Sequence, residues 1–271
     1  MTYCLGIKIR DGLIGLSDGR VTSGTQVSAA RKVTIMGEGG DRFFVMTSGL
    51  RSVRDKTLAY FRRDMATARN KAARKPVAGD AAPYHTMLEA VGAFTRALRA
   101  VMEEDKAALE ASGLNFNLHA ILGGRLSADK EPNMFLVYPE GNWIEVDERT
   151  PYLSIGATAY GKPILDRALK PDTPMTTALK IAYLSFDSSR YSSADVGYPI
   201  DLVTYSAADR AWREAQFDYD DLVEQRHWWN RHITELANRL PDTPWVDRLL
   251  PAGTLATGAT AVVQRVTDAA D

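Results

Sequence analysis

Thr2 is the residue whose type and position promise chemistry. If Met1 is removed, Thr2 holds a free α-amine and a hydroxyl, a nucleophile and its base on a single residue. A threonine behind an initiator methionine is common in itself. Here it is followed by a segment that carries Asp18 back toward the chain start, and then by Lys32 entering the next strand. A carboxylate, an ammonium and an amine brought together have the makings of a proton-transfer site.

The elements that must position these groups are short. Tyr3, Leu5, Ile7 and Ile9 alternate with Cys4, Gly6 and Lys8, which predicts a strand. Arg10-Asp11-Gly12 is a turn, and the chain returns through Leu13–Asp18. At about 3.3 Å per residue, the two strands match in length and Asp18 ends near Thr2. The face depends on the turn. A two-residue turn puts Asp18 on the face opposite the Thr2 side chain, whereas a three-residue loop pairs Ile9 with Leu13 and Cys4 with Asp18, which is the useful face. A loop leads from Arg20 to Ala30, and strands follow over Lys32–Met36 and Arg42–Ser48. Arg31 and Lys32 are successive, so alternation lets only one of them point at Thr2.

Several motifs then gain meaning together. Thr2, Gly6, Leu16-Ser17-Asp18-Gly19-Arg20 and Arg31-Lys32-Val33 resemble the opening of proteasome-type β subunits. Gly156-Ala157-Thr158-Ala159-Tyr160-Gly161-Lys162-Pro163-Ile164-Leu165-Asp166-Arg167, Asp187-Ser188-Ser189-Arg190 and Val196-Gly197-Tyr198-Pro199-Ile200-Asp201-Leu202 resemble one branch, the bacterial Anbu or ancestral β-subunit family. The resemblance covers most of residues 2–206. It implies an α+β fold, the four-layer αββα sandwich of the N-terminal-nucleophile hydrolases.

The resemblance also assigns roles. Thr2 would attack an amide carbonyl, Lys32 would lower the pKa of the Thr2 amine, and Asp18 would fix Lys32 by a charge-assisted hydrogen bond. Gly49 would donate its backbone N–H to the oxyanion; its plainer reading is a strand-to-helix turn. Thr158 stands where proteasome subunits place a serine. Ser192 and Asp195 match their Asp-x-x-Ser pair with the residue types exchanged. Val21, Ala30, Thr34, Thr47 and Arg51 fall at the positions that wall the substrate pocket. Family members assemble, so the partners implied are further copies of the chain, in a ring or a helix, and a peptide or protein substrate.

Composition narrows the alternatives. The 271 residues are 45% hydrophobic, enough for a large core. A net charge of −1 argues against a nucleic-acid binder. The single cysteine, Cys4, precludes an internal disulfide and suits a reducing compartment. No apolar run reaches the roughly 18 residues of a membrane span, and Lys8, Arg10 and Asp11 interrupt the place of a signal-peptide core. A cytoplasmic protein is expected. His85, His119, His227 and His232 are too scattered to bind a metal, no cofactor is expected, and no P-loop occurs, so the chain is not expected to hydrolyse ATP by that route, and the sequence names no ATPase partner.

Beyond the opening strands, helices are predicted over Leu50–Met65, Tyr84–Ser112, Tyr160–Leu169, Thr176–Phe186 and Tyr219–Leu240. Strands are predicted over His119–Leu122, Met134–Val137, Trp143–Val146, Tyr152–Ile155 and Ile200–Tyr205, the last closing the β count. Lys75–Pro83 reads as an exposed loop. The expected organisation is a domain over 2–206 and a C-terminal helical extension and tail over 207–271. Three functions fit: an N-terminal-threonine peptidase, an amidase of the same fold acting on a small molecule or isopeptide, and a weakly catalytic assembly subunit.

Overall fold

A computed structural model describes residues 2–23, 26–38, 40–73 and 83–241. Residues through Tyr219 form one compact unit and those from Asp220 onward a second. The first unit is built on two five-stranded sheets.

One sheet contains β1 (Tyr3–Ile9), β2 (Gly12–Asp18), β10 (Tyr152–Gly156), β11 (Ile200–Ser206) and β12 (Ala211–Phe217), in the order β10-β1-β2-β11-β12. The other runs β5 (Val33–Glu38), β6 (Asp41–Gly49), β7 (Leu118–Arg125), β8 (Asn133–Val137) and β9 (Trp143–Glu145) in sequence order. All pairings are antiparallel. Alternation sorts the side chains: Cys4, Leu13, Ile155 and Val203 from the first sheet meet Val33, Phe44, Met46, Ile121 and Met134 from the second in a dry core between them. The second sheet's other face, with Phe43, Val45, Ala120, Leu122 and Phe135, is covered by α1 (Arg51–Ala73) and α2 (Met87–Ala111). The first sheet's other face meets α4 (Met175–Ser192), preceded by α3 (Lys162–Ala168). The expected αββα sandwich is the fold observed.

Local chemistry sets the boundaries. Thr86 and Glu89 form a reciprocal capping box that starts α2. Ser112 caps its end, where Gly113 takes φ +74°. Pro163 sits in the first turn of α3, where no intrahelical N–H is lost. α1 runs past the predicted Met65, and Arg69 on the added turns forks onto Glu38 at 2.7 and 2.6 Å. Of the expected loop Lys75–Pro83, all but Pro83 lies outside the described residues.

Three strands differ from the sequence reading. The segment from Arg20 to Ala29, expected as a loop, is a hairpin of β3 (Arg20–Ser23) and β4 (Gln26–Ala29). The strands also do not end at Tyr205, because β12 pairs with β11 along its whole length. Apolar alternation is hidden because the other positions on the Trp212 face are polar and exposed: Glu214 pairs with Arg31, and Gln216 donates to Asp201 at 2.9 Å. Trp212 is the apolar exception, packed on Tyr205 and Phe44. The compact unit therefore extends past 206, through β12 to Tyr219. The second unit contains the 3-10 turn Asp220–Leu222 and α5 (Val223–Asn238).

Candidate active site

The β1–β2 register is that of a two-residue turn, with Ile9 opposite Gly12 and Cys4 opposite Ser17. Alternation then turns Asp18 away from the Cys4 face, which was the unfavourable case. The contact forms nonetheless, because Asp18 ends its strand and its carboxylate reaches around the sheet end. Asp18 Oδ1 accepts the Tyr3 N–H at 2.9 Å and the Lys32 ammonium at 2.6 Å, while Oδ2 takes the Gly197 N–H at 3.4 Å. Burial pushes the Asp18 carboxyl up from its ordinary range, with Lys32 and the two N–H groups opposing.

Lys32 lies at the mouth of β5 with its side chain 4% exposed. Its Nζ donates to Asp18 and, at 2.5 Å, to the carbonyl of Arg20. Both acceptors come from the β2–β3 corner, so the ammonium has a fixed place. Arg31 points elsewhere, onto Glu214, with Nε 3.8 Å from Asp201. Of the two cations, Lys32 joins Asp18 and Arg31 serves the sheet edge.

Thr2 is held by its neighbours' backbone. The N–H of Tyr3 goes to Asp18, and the Thr2 carbonyl accepts the Ala157 N–H at 2.7 Å. Gly156 is crossed so closely that a Cβ there would lie 1.7 Å from the Thr2 oxygen and 3.4 Å from Ser48 Oγ. The end of β6, Ser48-Gly49, therefore stands beside Thr2. Gly49 has φ +142° and faces the Asn117 carbonyl, 2.1 Å from where its Cβ would be, so no other residue fits this corner. α1 begins two residues later, with the positive end of its dipole at the same corner.

The remaining candidates divide. Thr158 is half-buried one residue beyond Ala157, and its N–H closes a turn onto the Gly156 carbonyl at 2.9 Å. Ser192 is exposed at the last turn of α4. Asp195 lies in the following loop, and the member of that loop which reaches Asp18 is Gly197, through its N–H. Gly19 fastens the same loop by donating to Pro199 at 2.6 Å. Among the wall positions, Thr47 is buried, and Val21, Ala30 and Thr34 are half-buried. The Arg51 side chain is 68% exposed, with Nε 3.5 Å from Asp55. Gly156, Ser48, Gly197 and the Arg20 carbonyl went unassigned in the sequence. Gly156, Gly197 and Arg20 each stand inside a motif that carries the resemblance, and Gly156 also ends a strand. Among the described residues no cluster of three His, Cys, Asp or Glu could hold a metal, and no helix is long and apolar enough to cross a membrane.

No protein-family model matches the chain, and no curated protein does. Solved structures do. The helical assembly of the Anbu complex from Pseudomonas aeruginosa is 28% identical with a TM-score of 0.78, covering 89% of this chain and 98% of that one. Anbu from Yersinia bercovieri is 27% identical at TM-score 0.74, covering 89% and 98%. A Gly-1 mutant of Anbu from Hyphomicrobium sp. strain MC1 is 26% identical at 0.75, covering 90% and 99%.

Proposed function

Since the chain is a homologue of Anbu, the ancestral proteasome-like β subunit, we propose that it is a self-assembling N-terminal-threonine peptidase. The observation that carries this reading is the buried Lys32–Asp18 pair, docked onto the N–H of the residue that follows Thr2. With Met1 removed, the Thr2 amine is the base for its own hydroxyl. A free α-amine has a pKa of about 7.7–8.0, and a neighbouring ammonium lowers it, so the neutral form gains near pH 7. Thr2 Oγ attacks the carbonyl, the amine takes the proton, and the resulting oxyanion meets the Gly49 N–H at the head of α1. The amine then protonates the leaving nitrogen, and water releases the acyl group from Thr2.

The test joins intact mass with covalent labelling. Protein from its native host should lack Met1, and a β-lactone probe should add to Thr2 and block peptide turnover. A chain beginning at Thr2 that neither labels nor turns over any peptide sinks the proposal.

The walls make a second expectation. A buried cation needs a partner carboxylate, and none of Val21, Ala30, Thr34, Thr47 and Arg51 supplies one. Arg51 turns to solvent, which leaves the apolar and hydroxyl-bearing residues to set preference. Cleavage after apolar residues is expected when a peptide mixture is profiled by mass spectrometry. A clear preference for Lys or Arg would refute this pocket.

The proposed self-assembly is supported by the helical assembly of the P. aeruginosa neighbour. Trp228, Ile233, Leu236 and Leu240 at α5 and just beyond are exposed, and aromatic residues are enriched where subunits meet. Deleting 220–271, a cut that spares β12, should lower the mass seen by light scattering. An assembly of unchanged size would place the interface elsewhere.

A further inference from the structure

One row of side chains beside Thr2 has no role in this chemistry. Ser48 on β6 lies directly opposite His119 on β7. Ala120 pairs with Val137, which brings Tyr138, just past β8, next in line; the His119 and Tyr138 rings meet edge-on with centroids 6.0 Å apart. Alternation turns this row toward the first sheet, because Met46, Ile121 and Leu136, one step further in on the same face, belong to the core between the sheets. That inner row is buried, whereas Ser48, His119 and Tyr138 are each half-exposed. The sandwich thus opens at this row, and it opens at the Thr2 end, since Ser48 Oγ and the Thr2 carbonyl both crowd Gly156.

We propose that the Ser48–His119–Tyr138 row is a specificity wall of the Thr2 cleft, taking an aromatic side chain of the peptide against the His119 and Tyr138 rings. The inference rests on the peptidase reading for its substrate class. Two rings in an edge-on pair leave faces and edges for a third, the arrangement in which aromatic contacts add to area burial. Burial holds the His119 imidazole below its ordinary pKa, against the pull of Glu140. The ring is therefore neutral near pH 7 and offers stacking in place of charge. Asn117 Oδ1, 3.1 Å from Nδ1, fixes its orientation.

Binding tests the wall independently of turnover. Full-length Thr2→Ala protein is titrated with a fluorescent peptide series in which Phe replaces Ala at one position at a time. One position should favour Phe, and adding His119→Ala should cut that preference, read as the ratio of Phe-peptide to all-Ala-peptide affinity in the same variant, about fivefold. Adding His119→Phe should keep the preference, which a merely structural histidine would not predict. The wall is overturned if no position favours Phe, if His119→Ala leaves the preference intact, or if His119→Phe loses it as fully as His119→Ala. Wild-type hydrolysis reports on the peptidase reading separately. A His119-dependent preference without turnover would sink the peptidase and keep the wall, and turnover without that preference would do the reverse.

Discussion

Lys32→Ala should lose peptide hydrolysis by about a thousandfold or more, the range in which positioned proton-transfer groups act. It should also cost stability. Its ammonium is bonded to a carboxylate buried at the end of β2, and breaking a buried pair from one side typically costs about 3–5 kcal/mol. Asp18 has one means of relief: its pKa is already raised by burial, so it can take up a proton when Lys32 is gone. The two losses can be separated. Lys32→Met with Asp18→Asn removes both charges, and stability should return toward wild type while activity stays absent. Lys32→Arg should not rescue, because one Nζ reaches both the Asp18 carboxylate and the Arg20 carbonyl, and a planar guanidinium does not fit that point-like geometry. Chemical denaturation with turnover assays on the three variants decides it. Wild-type turnover by Lys32→Ala would remove Lys32 from the mechanism.

Gly156→Ala is expected to be nearly as severe for a steric reason. The added Cβ would lie 1.7 Å from the Thr2 oxygen and 2.6 Å from its carbonyl carbon, with no flexible side chain to yield, and φ of +89° is strained for alanine. Either the end of β10 or Thr2 must move, and the Ala157-to-Thr2 bond at 2.7 Å is lost with it. A displacement of about 1 Å at a nucleophile is enough for a hundredfold loss. The expected outcome is a folded protein that β-lactone labels at least about a hundredfold more slowly. Unchanged labelling would mean that Thr2 is not held by β10.

Much of this could be read from residue types. The period-two runs mark most strands because those strands each bury an apolar face, and the Arg31-Lys32 motif singles out Lys32, the residue that bonds Asp18. What failed was whatever depends on a partner remote in sequence. Under a two-residue turn alternation puts Asp18 on the face opposite the Thr2 side chain, and it cannot see that the last residue of a strand is free to reach around its end to Lys32. β12 offers no apolar alternation to read, because Glu214 and Gln216 on the Trp212 face are exposed and answer Arg31 and Asp201. β3 and β4, four residues each, are too short to show a period. His119 was discounted as a scattered histidine, and only the β6–β7 register, which joins residues 71 positions apart, puts it beside Ser48.

The bond from the Ala30 N–H to the Gly19 carbonyl, at 2.8 Å, closes the β3–β4 hairpin at its base. β3 leaves the end of β2 and β4 returns to the same point, one step before Arg31-Lys32. The number of residues separating Asp18 from Lys32 is therefore free to drift over evolution without disturbing their meeting. Searches for distant relatives that fix this interval will overlook chains whose hairpin has lengthened or shrunk; allowing a gap between Ser23 and Gln26 would recover them.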